Sequence, residues 1–113
     1  MSIQISNLKE YFETLPQRFE PSSAKGLHAI YQYEISGEGG GVYHVKVADG
    51  TMDIVEGYCD SPSGTLKLSA QDFVDLANGK ASGAMLYIKG RLKATGNIML
   101  VQRMQAIFPP SKP

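Results

Sequence analysis

Tryptophan is absent from these 113 residues, cysteine occurs once, and neither sign of charge is in excess. The single thiol, Cys59, excludes an internal disulfide and suits a reducing compartment. Eleven basic and eleven acidic residues cancel. A nucleic-acid binder ordinarily carries a basic excess that displaces counterions from phosphates, so nucleic acid is not an expected partner. No apolar run approaches the ~20 residues of a membrane span. Met1-Ser2-Ile3-Gln4-Ile5 lacks the basic and long apolar regions of a secretory leader. The chain ends in Ser111-Lys112-Pro113, and the final proline departs from the Ser-Lys-Leu peroxisomal address. A cytoplasmic location is the expectation.

Chemistry-bearing clusters are also scarce. His28, His44 and Cys59 have no metal-ligand spacing. The glycine-rich run Gly37–Gly41 leads into a strand pattern, so it fits neither a phosphate loop nor a dinucleotide fingerprint. Cys59 has no basic neighbour that would activate it, and no nucleophile, base and orienter line up. No metal, no cofactor and no enzymatic activity are expected.

What is there is an ordinary globular composition, 42% hydrophobic and 19% charged, in a length suited to one domain spanning residues 1–113. Ile5, Leu8, Phe12, Leu15 and Phe19 recur at helical spacing, and Pro16 predicts that a helix from Ile3 ends near Thr14, followed by a second short turn. Leu27 to Ser36 alternates, with Leu27, Ala29, Tyr31, Tyr33 and Ile35 on one face. Val42–Ala48 and Met52–Tyr58 form the next two strands around Asp49-Gly50, a two-residue hairpin signal. That turn pairs Val47 with Met52, Val45 with Ile54, and Lys46 with Asp53, and both faces come out chemically sensible. Thr65–Leu68 is a fourth strand. Ser69 and Asp72 resemble a capping box for a helix with Phe73, Leu76 and Ala77 inward and Gly79 as its stop. A short helical piece at Ala84–Ile88, a fifth strand at Arg91–Thr95 and a last helix capped by Asn97 complete the order. This is an α+β two-layer sandwich: a five-stranded, mostly antiparallel sheet with helices over one face and a polar opposite face.

The last helix is apolar around most of its circumference: Ile98, Met99, Leu100, Val101, Met104, Ile107 and Phe108 cover more than the one stripe a surface helix needs. Phe12, Leu15, Phe73, Leu76, Met85, Leu86, Met99, Met104 and Phe108 are the candidates to surround an apolar ligand, with the unbranched methionines adapting to its shape. Plain core packing is the competing reading of the same residues. Within the last helix, Met99, Met104 and Phe108 are assigned to the ligand, and Ile98, Val101 and Ile107 to anchoring. Lys80, Lys89, Arg91 and Lys93 form a basic group, read as a solvated strand guard in preference to a lipid-phosphate contact. Glu34 is expected opposite His44, as a cross-strand pair on the polar face.

Several segments together resemble the sterol carrier protein-2 (SCP2) family over nearly the whole chain. They are Leu15-Pro16-Gln17-Arg18-Phe19, Tyr31-Gln32-Tyr33-Glu34-Ile35, Val47-Ala48-Asp49-Gly50, Thr65-Leu66-Lys67-Leu68-Ser69, Asp72-Phe73 and Leu76 to Lys80. The strongest is Lys89-Gly90-Arg91-Leu92-Lys93-Ala94-Thr95-Gly96-Asn97. Each is weak alone; their order is specific. The resemblance implies an apolar tunnel between sheet and helices that holds a sterol, fatty acid or acyl-CoA without chemistry. It implies a monomer or weak homodimer with transient membrane contact. A module that dimerises or docks in a lipid or quinone metabolic assembly is the alternative. Tyr43 stands near a position where the family often has tryptophan. Lys89 replaces a glutamine that lies near the ligand in animal members, which brings Lys89 into the candidate site as a contact for an anionic head group.

Overall fold

The computed structural model describes residues 5–108. Helix α1 (Leu8–Arg18) is followed by a short 3-10 turn at Pro21–Ala24. Strands β1 (His28–Ser36), β2 (Gly41–Ala48), β3 (Thr51–Glu56) and β4 (Gly64–Ser69) come next. Then come α2 (Ala70–Ala77), α3 (Gly83–Ile88), β5 (Leu92–Gly96) and α4 (Ile98–Ile107). The sheet order is β3-β2-β1-β4-β5. β1 and β4 are parallel and every other neighbouring pair is antiparallel. The expected α+β sandwich is therefore the observed fold.

Local chemistry explains where the elements begin. Each helix starts at a side-chain oxygen that accepts from the backbone N–H three residues on: Asn7 from Glu10, Ser69 from Asp72, Ser82 from Met85 and Asn97 from Leu100. At the β2–β3 turn Asp49 and Gly50 take φ of 45° and 85°, the left-handed pair a two-residue hairpin requires. The register is the one read from the sequence, with Val47 opposite Met52, Val45 opposite Ile54 and Lys46 opposite Asp53. Gly96 is needed where β5 passes into α4: its φ is 87°, and a Cβ there would lie 2.6 Å from the Ser63 carbonyl oxygen.

The inner face of the sheet is the core. Tyr31 and Tyr33 of β1, Val45 and Val47 of β2, and Leu66 and Leu68 of β4 are all buried. They meet Leu8, Phe12 and Leu15 of α1, Phe73 and Ala77 of α2, and Ile107 of α4. Phe12 stacks on Tyr43 with ring centroids 4.1 Å apart and meets Tyr33 edge-on at 5.1 Å. Tyr43 thus supplies a flat aromatic surface from β2. Asn78, just after α2, clamps the start of the described chain. Its amide donates to the Ile5 carbonyl and its oxygen accepts from the Ile5 N–H, both at 2.7 Å.

Four local expectations change. The first helix begins at Leu8 and runs through Pro16 to Arg18; the predicted start at Ile3 lies outside the described residues. A proline costs one backbone hydrogen bond and some bending, and here the complete burial of Leu15 together with Arg18 anchoring offsets it. Secondly, Glu34 faces Val42, and His44 faces Gln32. The connection between β1 and β2 is four residues, 37–40, and the pairing shifts by two residues from the expected one. His44 is buried and its Nδ1–H donates to the Gly57 carbonyl at 2.8 Å, so it is a structural group beneath the β3–β4 connection. Gln32, placed on the polar face, is buried for the same reason: its oxygen accepts from the Cys59 N–H at 2.7 Å. Finally, Arg91 precedes β5, where it donates Nε to Oδ2 and Nη2 to Oδ1 of the buried Asp72 at 3.0 and 2.6 Å.

Candidate functional site

A cavity of about 500 Å³ lies between the sheet and the helices. Leu66, Leu92 and Ala94 form its sheet side, Phe73, Leu76 and Ala77 its α2 wall, and Ile98, Val101, Met104 and Phe108 its α4 wall. Ala84, Tyr87 and Ile88 of α3 close one end. Tyr87 is 58% exposed, Ile88 75% and Ile98 43%, so the cavity meets solvent between α3 and α4.

At the other end stand Tyr11, Tyr33 and Arg18. The two tyrosine hydroxyls are 3.4 Å apart. Burial is the main reason that the pKa of Tyr11 is raised above the ordinary tyrosine value and that of Tyr33 well above it, with the nearby Arg18 charge acting in the opposite direction. Both therefore remain O–H donors at neutral pH. The Arg18 guanidinium lies over the Tyr11 ring, 4.4 Å from its centroid. Its Nη2 donates to the Tyr11 carbonyl at 2.8 Å and approaches Thr14 Oγ1 at 3.4 Å. Its Nε and Nη1 are buried without a partner.

The ten residues assigned to the site from sequence divide in three. Phe73, Leu76, Met104 and Phe108 line the cavity. Phe12, Leu15 and Leu86 are buried in the surrounding core and do not reach the lining. Met85, Met99 and Lys89 are exposed and lie outside it; Met99 is 76% exposed. In α4 successive side chains turn by about 100°, so the stripe facing the cavity is Ile98, Val101, Met104 and Phe108, and Met99 points away from it. Ile98 and Val101, expected as anchors, are lining residues, whereas Ile107 is the anchor at zero exposure. Arg18, Tyr11 and Tyr33 were missed. Arg18 sits i+7 from Tyr11, a helical spacing that was hidden by reading Pro16 as a break.

Residues 8–109 match the SCP-2 sterol transfer family. This chain belongs to that family. The SCP-2 domain is 28% identical over 102 residues to hydroxysteroid dehydrogenase-like protein 2 of Bos taurus, a match that covers 89% of this chain and 24% of that protein. It thus spans about a quarter of the length of that relative and of its Homo sapiens counterpart. Among solved structures, palmitated SCP2L2 from Aedes aegypti superposes with a TM-score of 0.74 at 15% identity, covering 92% of this chain and 96% of that one. The sec-alkylsulfatase Pisa1 from Pseudomonas sp. gives the same TM-score and identity, over 92% of this chain and 16% of that one. At this identity the two structures establish a shared SCP-2 fold.

Proposed function

We propose that this SCP-2 domain binds an apolar lipid in the cavity between its layers, without chemistry of its own. The observation that carries this reading is a void of about 500 Å³ with an almost wholly apolar wall, open to solvent through exposed apolar side chains at one end. Ligand pockets fall in the range of roughly 300–1,000 Å³. A solid core would close such a void, because side chains facing it forfeit their contacts. Phe73, Leu76, Met104 and Phe108 are the ligand contacts carried over from the sequence, and Ile98 and Val101 join them.

Binding by desolvation has a measurable signature. Each buried methylene contributes about 0.8 kcal/mol, so two added carbons tighten binding by roughly tenfold. Titration calorimetry with fatty acids of increasing chain length should show this step until the cavity is full, with a negative heat-capacity change. Affinity independent of chain length, or no binding across sterols, fatty acids and acyl-CoA, sinks the reading.

The exposed rim of Tyr87, Ile88, Ile98 and Met99 is suited to touching a lipid surface during loading, with Lys89 beside it. The same apolar rim supports a second reading, in which it docks a second copy or another domain of a lipid-metabolising assembly. Light scattering separates the two: a concentration-dependent dimer that excludes lipid favours docking, and a monomer with lipid bound favours the carrier. A cytoplasmic setting is part of the same proposal. Among the described residues, no helix is long and apolar enough to cross a membrane.

A further inference from the structure

The outer face of the sheet carries a second cleft, of about 630 Å³, that shares no lining residue with the cavity between the layers. One row of side chains crosses it strand by strand: Val42 of β2, Glu34 of β1, Lys67 of β4 and Lys93 of β5 stand in register. Lys67 and Lys93 are directly opposite, a like-charge pair that destabilises a sheet. β5 is an edge strand, where a lysine deters pairing with another chain. That accounts for Lys93 and leaves Lys67, on the interior strand β4, unexplained. Glu34 offsets little of this charge: one carboxylate oxygen accepts from Gln32 Nε2 at 2.9 Å, and the other is 3.8 Å from the Lys67 ammonium. Among the described residues no Asp or Glu oxygen comes within 4 Å of Lys93. Arg91 and Asp72 also line the cleft. The buried Asp72 fixes the Arg91 guanidinium through Nε and Nη2, which leaves Nη1 with no hydrogen bond to the described residues. Two carboxylates thus face three cations, and one positive charge is left over. Tyr58, 71% exposed, lines the same cleft and brings an aromatic ring to the charges.

We propose that this outer cleft is a second binding site, for a small aromatic acid: a planar ring that bears one carboxylate. The carboxylate sits between Lys67 and Lys93, whose Cα atoms are about 5 Å apart in such a pair, and relieves their repulsion. Arg91 Nη1 is a third donor, on a guanidinium whose plane the pair with Asp72 sets before any ligand arrives. The ring lies against Tyr58, where offset or edge-on contact between aromatic faces is favourable. One carboxylate matches the one uncancelled charge, whereas a phosphate monoester, close to doubly charged at neutral pH, brings a surplus. The site stands apart from lipid binding: it is on the opposite face of the sheet, and either is filled without the other.

The test titrates three probes into the 15N-labelled full chain at neutral pH and low ionic strength: 2-naphthoate, the neutral 2-naphthylmethanol, and acetate. Backbone amide shifts report where each binds, which separates this cleft from the lipid cavity. Naphthoate should give saturating shifts at Tyr58, Lys67, Arg91 and Lys93. The ring without the charge and the charge without the ring should each bind there at least about tenfold more weakly. Replacing both lysines, Lys67→Gln with Lys93→Gln, should weaken naphthoate about tenfold, each exposed ammonium contributing a factor of about three to five. Naphthoate shifts confined to the cavity residues Phe73 and Met104, equal binding of naphthoate and the alcohol in the cleft, or an affinity indifferent to the two lysines overturns the proposal. A second measurement needs no ligand. Lys93→Gln removes the repulsion with Lys67, so its melting temperature should equal or exceed that of the unmodified protein. A clearly lower value means that the Lys93 charge is already spent on the sheet, and it refutes the site.

Discussion

Gly64 opens β4 at the place where α4 crosses the sheet. A Cβ added there would stand 2.6 Å from Val101 Cγ2, and every other neighbour would be at an ordinary distance of 3.6 Å or more. Gly64→Ala is thus a clash with a single methyl group on the helix that walls the cavity. Overpacking of this kind costs about 1–3 kcal/mol. Alanine also restricts the unfolded chain, which returns about 0.4–1 kcal/mol where the backbone is compatible. A net loss of about 0.5–2 kcal/mol is expected, toward the lower end because Val101 borders empty space and can yield into it. Val101→Ala alone removes two half-buried methyl groups but places a better helix former in α4, for a loss of about 0.5–1 kcal/mol. In the double variant the offending methyl is gone. Its cost should fall below the sum of the single variants by at least about 1 kcal/mol, well outside the 0.3–0.5 kcal/mol within which independent sites add. Urea denaturation of the four proteins measures the cycle. Additive costs would mean that Gly64 and Val101 do not touch, and the placement of α4 over β4 would be wrong.

Asn78→Ala leaves the buried N–H and C=O of Ile5 without partners, a penalty of about 2–5 kcal/mol if the segment stays in place. The segment before α1 can instead lift off, so the loss is capped near the value of burying one isoleucine, about 1.5–3 kcal/mol, and hydrogen exchange at Ile5 should rise far more than in the β1 and β4 core. Arg91→Met strips both charged donors from the Asp72 carboxylate, whose side chain is 7% exposed against 57% for Arg91. Breaking a buried pair costs about 3–5 kcal/mol, and solvent around Arg91 reduces this to about 1–2 kcal/mol by urea denaturation, with partial recovery on adding Asp72→Asn.

Wherever two neighbouring features constrained each other, the fold was legible in the sequence. The period-two alternation of Leu27 to Ile35 needed one apolar face, and all five of those residues are buried. Asp49-Gly50 sets the register of β2 and β3 because a two-residue turn leaves no slack. The connection of residues 37–40 is longer, so it admits registers that differ by two residues and keep the same faces. Alternation cannot distinguish these, and Glu34 was therefore placed opposite His44. The burial of Gln32 and His44 was invisible for another reason. It depends on the connection after β3 lying across the outer face, a long-range placement that leaves no period in either segment.

The site was half legible for a related reason. Apolar residues that line a void and those that fill a core have the same composition and spacing, so Phe73 and Leu76 could not be told from Phe12 and Leu15 by pattern. A polar residue facing a void is rarer, and Arg18 carried that signal, but only if α1 continued past Pro16. The lost hydrogen bond at Pro16 falls within the last turn before Arg18, where the helix is already ending. Two turns before Arg18, the Tyr11 carbonyl accepts from Thr14 Oγ1 at 3.3 Å and from Arg18 Nη2 at 2.8 Å. Continuing the helix puts Arg18 over Tyr11 and against the cavity, whereas a chain that turned away at Thr14 would have carried the guanidinium into water. The proline therefore marks the place where local preference and tertiary packing disagree, and packing places the charge at the cavity wall.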